Sequence, residues 1–316
     1  MSALRKFGAL SVIAVLLLST SACAAKRESA LKDTETITKA TEQGEFSQTL
    51  QQAQAHWDKR ANKDDLVKSI NLMEKAVKMP ASDMSEDERK AELAETYEHL
   101  SRAYYLLGDS HIRLEAKEDG DKDDEMMGVF EKGVTAAEKA IALRDPNFAK
   151  IVAEKKNKWQ TAVVDADPKA IPALYWYSTN LGKWALLEGI ATILARKDDI
   201  KATMDWVIQH NPEYFFGAPY RYFGVYHTKV PIGGGDPPKS KESFERSIKI
   251  APNYLATKVL MAESYAVLAG DRELFDKLLN EVVAADPNAV PEIAPENQLE
   301  QQKARAMLAK ADDLFY

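Results

Sequence analysis

Cysteine is nearly missing from this sequence: Cys23 stands alone among 316 residues. A disulfide framework is therefore excluded, because a single thiol has no partner in its own chain. Long apolar runs are missing too. The one apolar stretch, Ala9 to Leu18, is too short to cross a bilayer as a permanent helix. Histidine is scarce, and none of His56, His99, His111, His210 and His227 has a second histidine three or four residues on, which leaves no helical metal-ligand pair. No G-x-S-x-G, H-E-x-x-H, C-x-x-C or Gly-rich phosphate loop occurs, so no catalytic residue, cofactor or metal is expected. Basic residues are outnumbered, 42 Lys and Arg against 49 Asp and Glu. A nucleic acid would have to bind against the field of the chain, and none is expected as a partner. With 45% hydrophobic and 29% charged residues, the composition is that of a folded chain.

The position of the lone cysteine is informative. Arg5 and Lys6 precede the Ala9–Leu18 stretch, and Ser19, Thr20, Ser21 and Ala22 lead into Cys23. A charged start, a short apolar core and small residues make a secretory signal. The cysteine at its end reads as a lipidation site, with residues 1–22 removed as signal peptide. Plain cleavage around Ala22-Cys23-Ala24 is the competing reading. The expected mature chain starts at Cys23, keeps 40 basic against 49 acidic residues, and meets the membrane through its acyl chains only. Ala24 stands where an inner-membrane retention signal would place Asp, so the expected address is the outer membrane, facing the periplasm. Residues 23–45 read as the lipidated start and a polar tether, and 46–316 as one helical domain.

From about Phe46 onward the apolar positions recur with helical period and are punctuated by proline. No segment alternates well enough for a strand, so the fold expected is all-α. Glu74-Lys75-Ala76-Val77-Lys78-Met79-Pro80 resembles Glu138-Lys139-Ala140-Ile141-Ala142-Leu143, with Pro146 beyond, and Glu245-Arg246-Ser247-Ile248, with Pro252 beyond. Ser240, Phe244, Ser247 and Pro252 have the small, large, small, proline spacing of the second helix of a tetratricopeptide repeat. Ile200, Met204, Val207 and Pro212 keep that spacing with bulkier residues, as do Phe275, Leu279, Val282 and Pro287. First helices run through Tyr97, Leu100, Tyr104 and Leu107, through Trp184 and Leu187, and through Val259, Ala262 and Ala266. The second helices centre near residues 73, 137, 204, 244 and 279, so the first two steps are almost twice the usual period of about 34. The expected architecture is an irregular tetratricopeptide-like array of antiparallel helix pairs, interrupted by inserts.

One insert is the acidic run Glu118 to Glu125. Asp119, Asp121 and Asp123 resemble the start of a calcium loop, but Asp124 stands where that loop needs Gly and Phe130 where it needs Glu. It reads as a solvated loop. Gly233-Gly234-Gly235-Asp236, followed by Pro237 and Pro238, has no strand before it and no Lys-Ser or Lys-Thr pair closing it. It reads as a loop in which Asp236 starts the next helix.

Aromatics concentrate in one region: 12 of 27 fall within Tyr175 to Tyr226. Trp184 and Trp206 fit core positions. Tyr175-Trp176-Tyr177 and Tyr214-Phe215-Phe216 are contiguous, and one helical face cannot bury three neighbours. Tyr175, Trp176, Tyr177, Tyr214, Phe215, Phe216, Tyr220 and Tyr222 are therefore expected to border an apolar cavity or passage. Arg221 would add polarity, and the loop of Gly234, Gly235 and Asp236 would form the rim. An irregular packed interface between two halves of the array is the rival.

The same residues carry a family resemblance. Leu174-Tyr175-Trp176-Tyr177, Leu181-Gly182-Lys183-Trp184, Tyr214-Phe215-Phe216-Gly217-Ala218-Pro219-Tyr220-Arg221, Gly234-Gly235-Asp236 and Asp312-Asp313-Leu314-Phe315, behind a lipoprotein cysteine, resemble the T component (TatT) family of TRAP transporters, over about 46–316. The resemblance implies a periplasmic lipoprotein of tetratricopeptide-like helices, a TRAP solute-binding protein as partner and a small hydrophobic ligand. It brings no catalytic residues, and it leaves open whether the chain forms a homo-oligomer. The alternative is a tetratricopeptide scaffold lipoprotein for outer-membrane or cell-wall assembly.

Overall fold

The computed structural model describes residues 27–32, 36–118, 120–154, 159–230 and 235–315. Cys23, Asp119, Gly233 and Gly234 lie outside them. Among the described residues every regular element is helical and no strand forms. Helices α1 (Phe46–Trp57) and α2 (Lys63–Ala76) make the first antiparallel pair. Next come α3 (Glu86–Leu106), which continues through a wide turn at Leu107–Ile112 into Arg113–Glu115, and α4 (Asp123–Arg144). Two short helices follow, α5 (Pro146–Glu154) and α6 (Trp159–Val164). The later pairs are α7 (Ile171–Glu188) with α8 (Ile190–His210), and α9 (Tyr214–Lys229) with α10 (Pro237–Ile250). Then α11 (Ala256–Met261), running on through a second wide turn at Ala262–Ala266 to Val267–Ala269, pairs with α12 (Arg272–Ala284). Helix α13 (Ala294–Ala309) closes the last pair and α14 (Ala311–Leu314) ends the array.

The pairing follows the spacing of the sequence. Each expected second helix is present, as α2, α4, α8, α10 and α12. Their large positions are sealed: Phe244, Phe275, Leu279, Val282 and Met204 are fully buried, as are the small Ser240 and Ser247. Gly224 on α9 shows why small residues are needed between paired helices, since a Cβ there would lie 2.6 Å from the Phe244 ring. Helix starts are chemically marked. Ser85 and Glu88 form a reciprocal capping box on α3, and Asp236 and Asp271 accept from the backbone of Lys239 and Leu274.

Two cores result. The larger gathers α1 to α8, and the smaller gathers α10 to α14. A separate aromatic cluster, with Tyr175, Trp176, Phe223 and Tyr226, lies where they meet. Within the segment 23–45, expected as a lipidated start and polar tether, Leu31 and Ile37 are buried against the body. Glu138 of α4 pairs with Arg27 and accepts from Ser29 Oγ at 2.9 Å and the Ala30 amide at 2.8 Å. A buried carboxylate needs such partners, and the incoming chain supplies them. No helix among the described residues is long and apolar enough to cross a membrane.

Candidate functional site

Helix α9 begins the wrong way round. Phe215, Phe216 and Gly217 have φ of 42°, 62° and 71°, a left-handed turn that costs roughly 1–2 kcal/mol for each residue bearing a Cβ. Consecutive strained residues persist only where their surroundings hold them, and here the holders are identifiable. Arg221, one turn into the right-handed part of α9, donates to Phe216 O at 3.1 Å and Phe215 O at 3.3 Å. The Phe216 ring stacks on Tyr254 with centroids 5.0 Å apart. Phe215 meets Trp176 edge-on at 5.1 Å, and Arg102 lies 4.8 Å over its face. The turn thus plugs the aromatic residues of α9 into those of α7.

Beside this plug lies a cavity of about 420 Å³, within the range of small-molecule sites. Tyr105 and Phe130 are among the residues that line it. One wall is α7, through Tyr175, Thr179 and Leu186; another is α8, through Ile193 and Ile200. Helix α9 adds Tyr222, Val225 and Arg221. Gly182 also faces it, and a Cβ built there would meet no atom within 4 Å. This mid-helix glycine is required neither by a turn nor by close packing, so what its missing side chain leaves is space. A smaller void of about 40 Å³ adjoins, sharing Tyr105, Tyr175 and Arg221 and adding Trp176 and Phe215.

The expected site residues divide accordingly. Tyr175, Arg221 and Tyr222 line the large cavity, and Trp176 and Phe215 the small one. Tyr177 does not border either. At 100° per residue it points about 200° away from Tyr175, and it stacks on Trp159 at 4.3 Å in the larger core. Tyr214 packs edge-on against Tyr175 at 5.3 Å, behind the lining. Phe216 is spent on Tyr254. Tyr220 turns to Arg246, whose guanidinium lies 4.2 Å over its ring. Gly235 and Asp236 do not line the cavity either: Asp236 caps α10 and pairs with Lys239 at 2.8 Å, whereas Lys229 and Val230 do line it.

Not legible in the sequence was a charge network beside the cavity, buried at Asp109, Glu300 and Lys303 and partly exposed at Lys183, Arg113 and Glu263. Both wide turns deliver it, Asp109 from α3 and Glu263 from α11. Such turns recur at functional sites. Asp109 pairs with Lys183 and with Lys303 at 2.7 Å, Lys303 with Glu300 at 2.8 Å, and Arg113 with Glu263. Burial pushes the Asp109 carboxyl up, but Lys183, Lys303 and Arg113 outweigh it and hold its pKa well below the carboxylate range. Burial likewise raises Glu263, while Arg113 and Lys183 bring it down to about 2. Both therefore carry full charge. Among the described residues no group of three His, Cys, Asp or Glu is placed to hold a metal ion.

Fold and site together define the class: an all-α repeat protein with an apolar, ligand-sized cavity between its two cores. The family model of the TRAP transporter T-component matches residues 115–315, more than half of the chain, and the chain belongs to that family. It is accordingly an accessory component of TRAP transport, from a family not known for enzymatic activity. No curated protein matches the chain. The match begins at the end of α3, later than the resemblance read from the sequence. It contains every helix that lines the cavity apart from the end of α3 itself.

Proposed function

We propose that this T-component is a lipoprotein anchored through Cys23, facing the periplasm from the outer membrane, that binds a TRAP solute-binding protein and carries a small hydrophobic ligand. The observation that carries the reading is the junction of the cavity with an exposed apolar lip. Leu187 and Ile193 line the cavity, and next to them Leu186, Ile190 and Leu194 are 38%, 53% and 37% exposed. Ile190 and Leu194 stand one turn apart on α8 and share a face. Apolar side chains left in water around a ligand-sized opening suit a docking surface. A partner seated there would receive an apolar ligand without passing it through water.

Native mass spectrometry of the detergent-extracted protein tests this. The expected spectrum holds a TRAP solute-binding protein together with a bound small molecule. Ile190→Asp combined with Leu194→Asp should remove the partner and leave the thermal midpoint unchanged. Cell-wall peptides or outer-membrane assembly proteins in place of a solute-binding protein would support the scaffold reading instead.

A further inference from the structure

The charges around the cavity narrow the ligand. Arg113, Lys183, Arg196, Lys197, Arg221 and Lys229 line it against two carboxylates, Asp109 and Glu263, in a chain whose net charge is −7. The two carboxylates are already engaged by Lys183, Lys303 and Arg113, and Lys197 pairs with Asp198. Arg196, Lys229 and Arg221 have no carboxylate within ion-pair distance among the described residues.

Arg221 is the unusual one. It is 5% exposed, and its partners carry no formal charge: Phe216 O at 3.1 Å, Phe215 O at 3.3 Å, Thr257 Oγ1 at 3.4 Å, Tyr175 Oη at 3.5 Å and the face of the Tyr254 ring, 4.3 Å away. The last three oxygens lie beyond the ordinary N–H···O range. Arg60, equally buried at 3%, is gripped by both oxygens of Glu296 at 2.9 and 2.6 Å. Burying a guanidinium without a counter-charge is costly. Its planar fork matches a carboxylate or phosphate edge.

We propose that the cavity binds single-chain amphiphiles with one anionic end, the acid group seated on Arg221 and the hydrocarbon running along Leu187, Ile193 and Val225 toward the mouth. Arg196 and Lys229 draw the acid inward by their field and lay their methylene stems along the chain. A cationic end would meet only engaged carboxylates, and a neutral end would leave the guanidinium without a counter-ion. The proposal rests on the ligand-carrying reading above.

The test is titration calorimetry of the mature protein in nanodiscs, with empty discs subtracted, using dodecanoate, dodecyl phosphate, dodecanol and dodecylammonium below their micelle concentrations. One or both acids should bind at least about tenfold tighter than the alcohol or the amine, and added salt should narrow the gap. Arg221→Gln should bring the acids down to the alcohol's affinity, and Gly182→Phe, which fills the cavity, should remove all binding. If Arg221→Gln fails to fold by circular dichroism, the comparison of head groups on the unaltered protein still decides. Alcohol or amine binding as tightly as the acids would overturn the anionic end and leave a ligand-carrying cavity. Absence of binding by all four probes would overturn the proposal and the carrier reading together.

Discussion

Arg221 reaches back along its own chain to donate to the carbonyl of Phe216 at 3.1 Å, tying the first right-handed turn of α9 to the left-handed turn before it. Lysine at this position would keep the charge and lose the fork that spans two carbonyls. Arg221→Lys should cost about 1–3 kcal/mol in chemical denaturation. Phe216→Gly relieves the left-handed strain, so the same lysine substitution in that background should cost less. An equal cost in both backgrounds would show that Arg221 does not hold the turn.

Gly182 gives a cleaner test of the cavity as open space. Alanine there adds a methyl that meets nothing and removes the entropic penalty of a mid-helix glycine. Gly182→Ala should stabilise the fold by about 0.5–1 kcal/mol. A loss of stability, read from the denaturant midpoint, would mean that α7 needs glycine for packing.

Phe244 is fully buried between α9 and α10. Phe244→Ala should cost about 3–5 kcal/mol, from lost burial and the cavity left against Gly224. Less than about 1 kcal/mol would place it outside the core and undo the pairing of these helices.

Acid should unfold the protein partly through this charge network. Glu263 titrates near 2 instead of the ordinary 4.5, and Asp109 also lies below its ordinary range. A carboxyl lowered in the folded state adds stability that is complete above its unfolded pKa and disappears as pH falls toward the folded value. For Glu263 the loss runs from about pH 4.5 down to about 2. Glu300 works in the opposite sense, because burial raises it despite Lys303. Denaturation midpoints followed from roughly pH 5 to 3 should fall less steeply in Glu263→Gln than in the unaltered chain. Matching slopes would remove Glu263 from the account.

For the anchor, Cys23→Ser should abolish incorporation of labelled fatty acid into the protein in growing cells. Label that survives the substitution would exclude Cys23 as the acylated residue.

The helix pairs were legible because a small, large, small spacing closed by proline is a local record of how two helices approach. Ser240, Phe244 and Ser247 needed no tertiary information to be placed in a core. Helices α5 and α6 were not legible: Pro146 both follows the end of α4 and opens α5, since proline suits a first helical turn as well as a stop. The charge network was hidden for a different reason. Each wide turn at Leu107–Ile112 and Ala262–Ala266 shifts the helical phase, and Asp109 and Glu263 stand inside those turns. A reading by fixed period misplaces such residues. Contiguity did flag Tyr214-Phe215-Phe216 as impossible to bury on one face. What it could not give was the left-handed turn that fans the three rings apart.

The grip of Glu138 on Arg27 and on the Ala30 amide also sets a standing height. Three residues lie between Cys23 and Arg27, and the four steps, even drawn straight, reach only about 14 Å. With acyl chains on Cys23, the body is moored within a headgroup's depth or two of the bilayer, where a free tether through residue 45 would have let it roam several times farther. On the proposed anchoring, such a body would not carry cargo across the periplasm. Under that proposal, exchange with a diffusing partner would take place at the lipid surface, and the partner would be the one that travels.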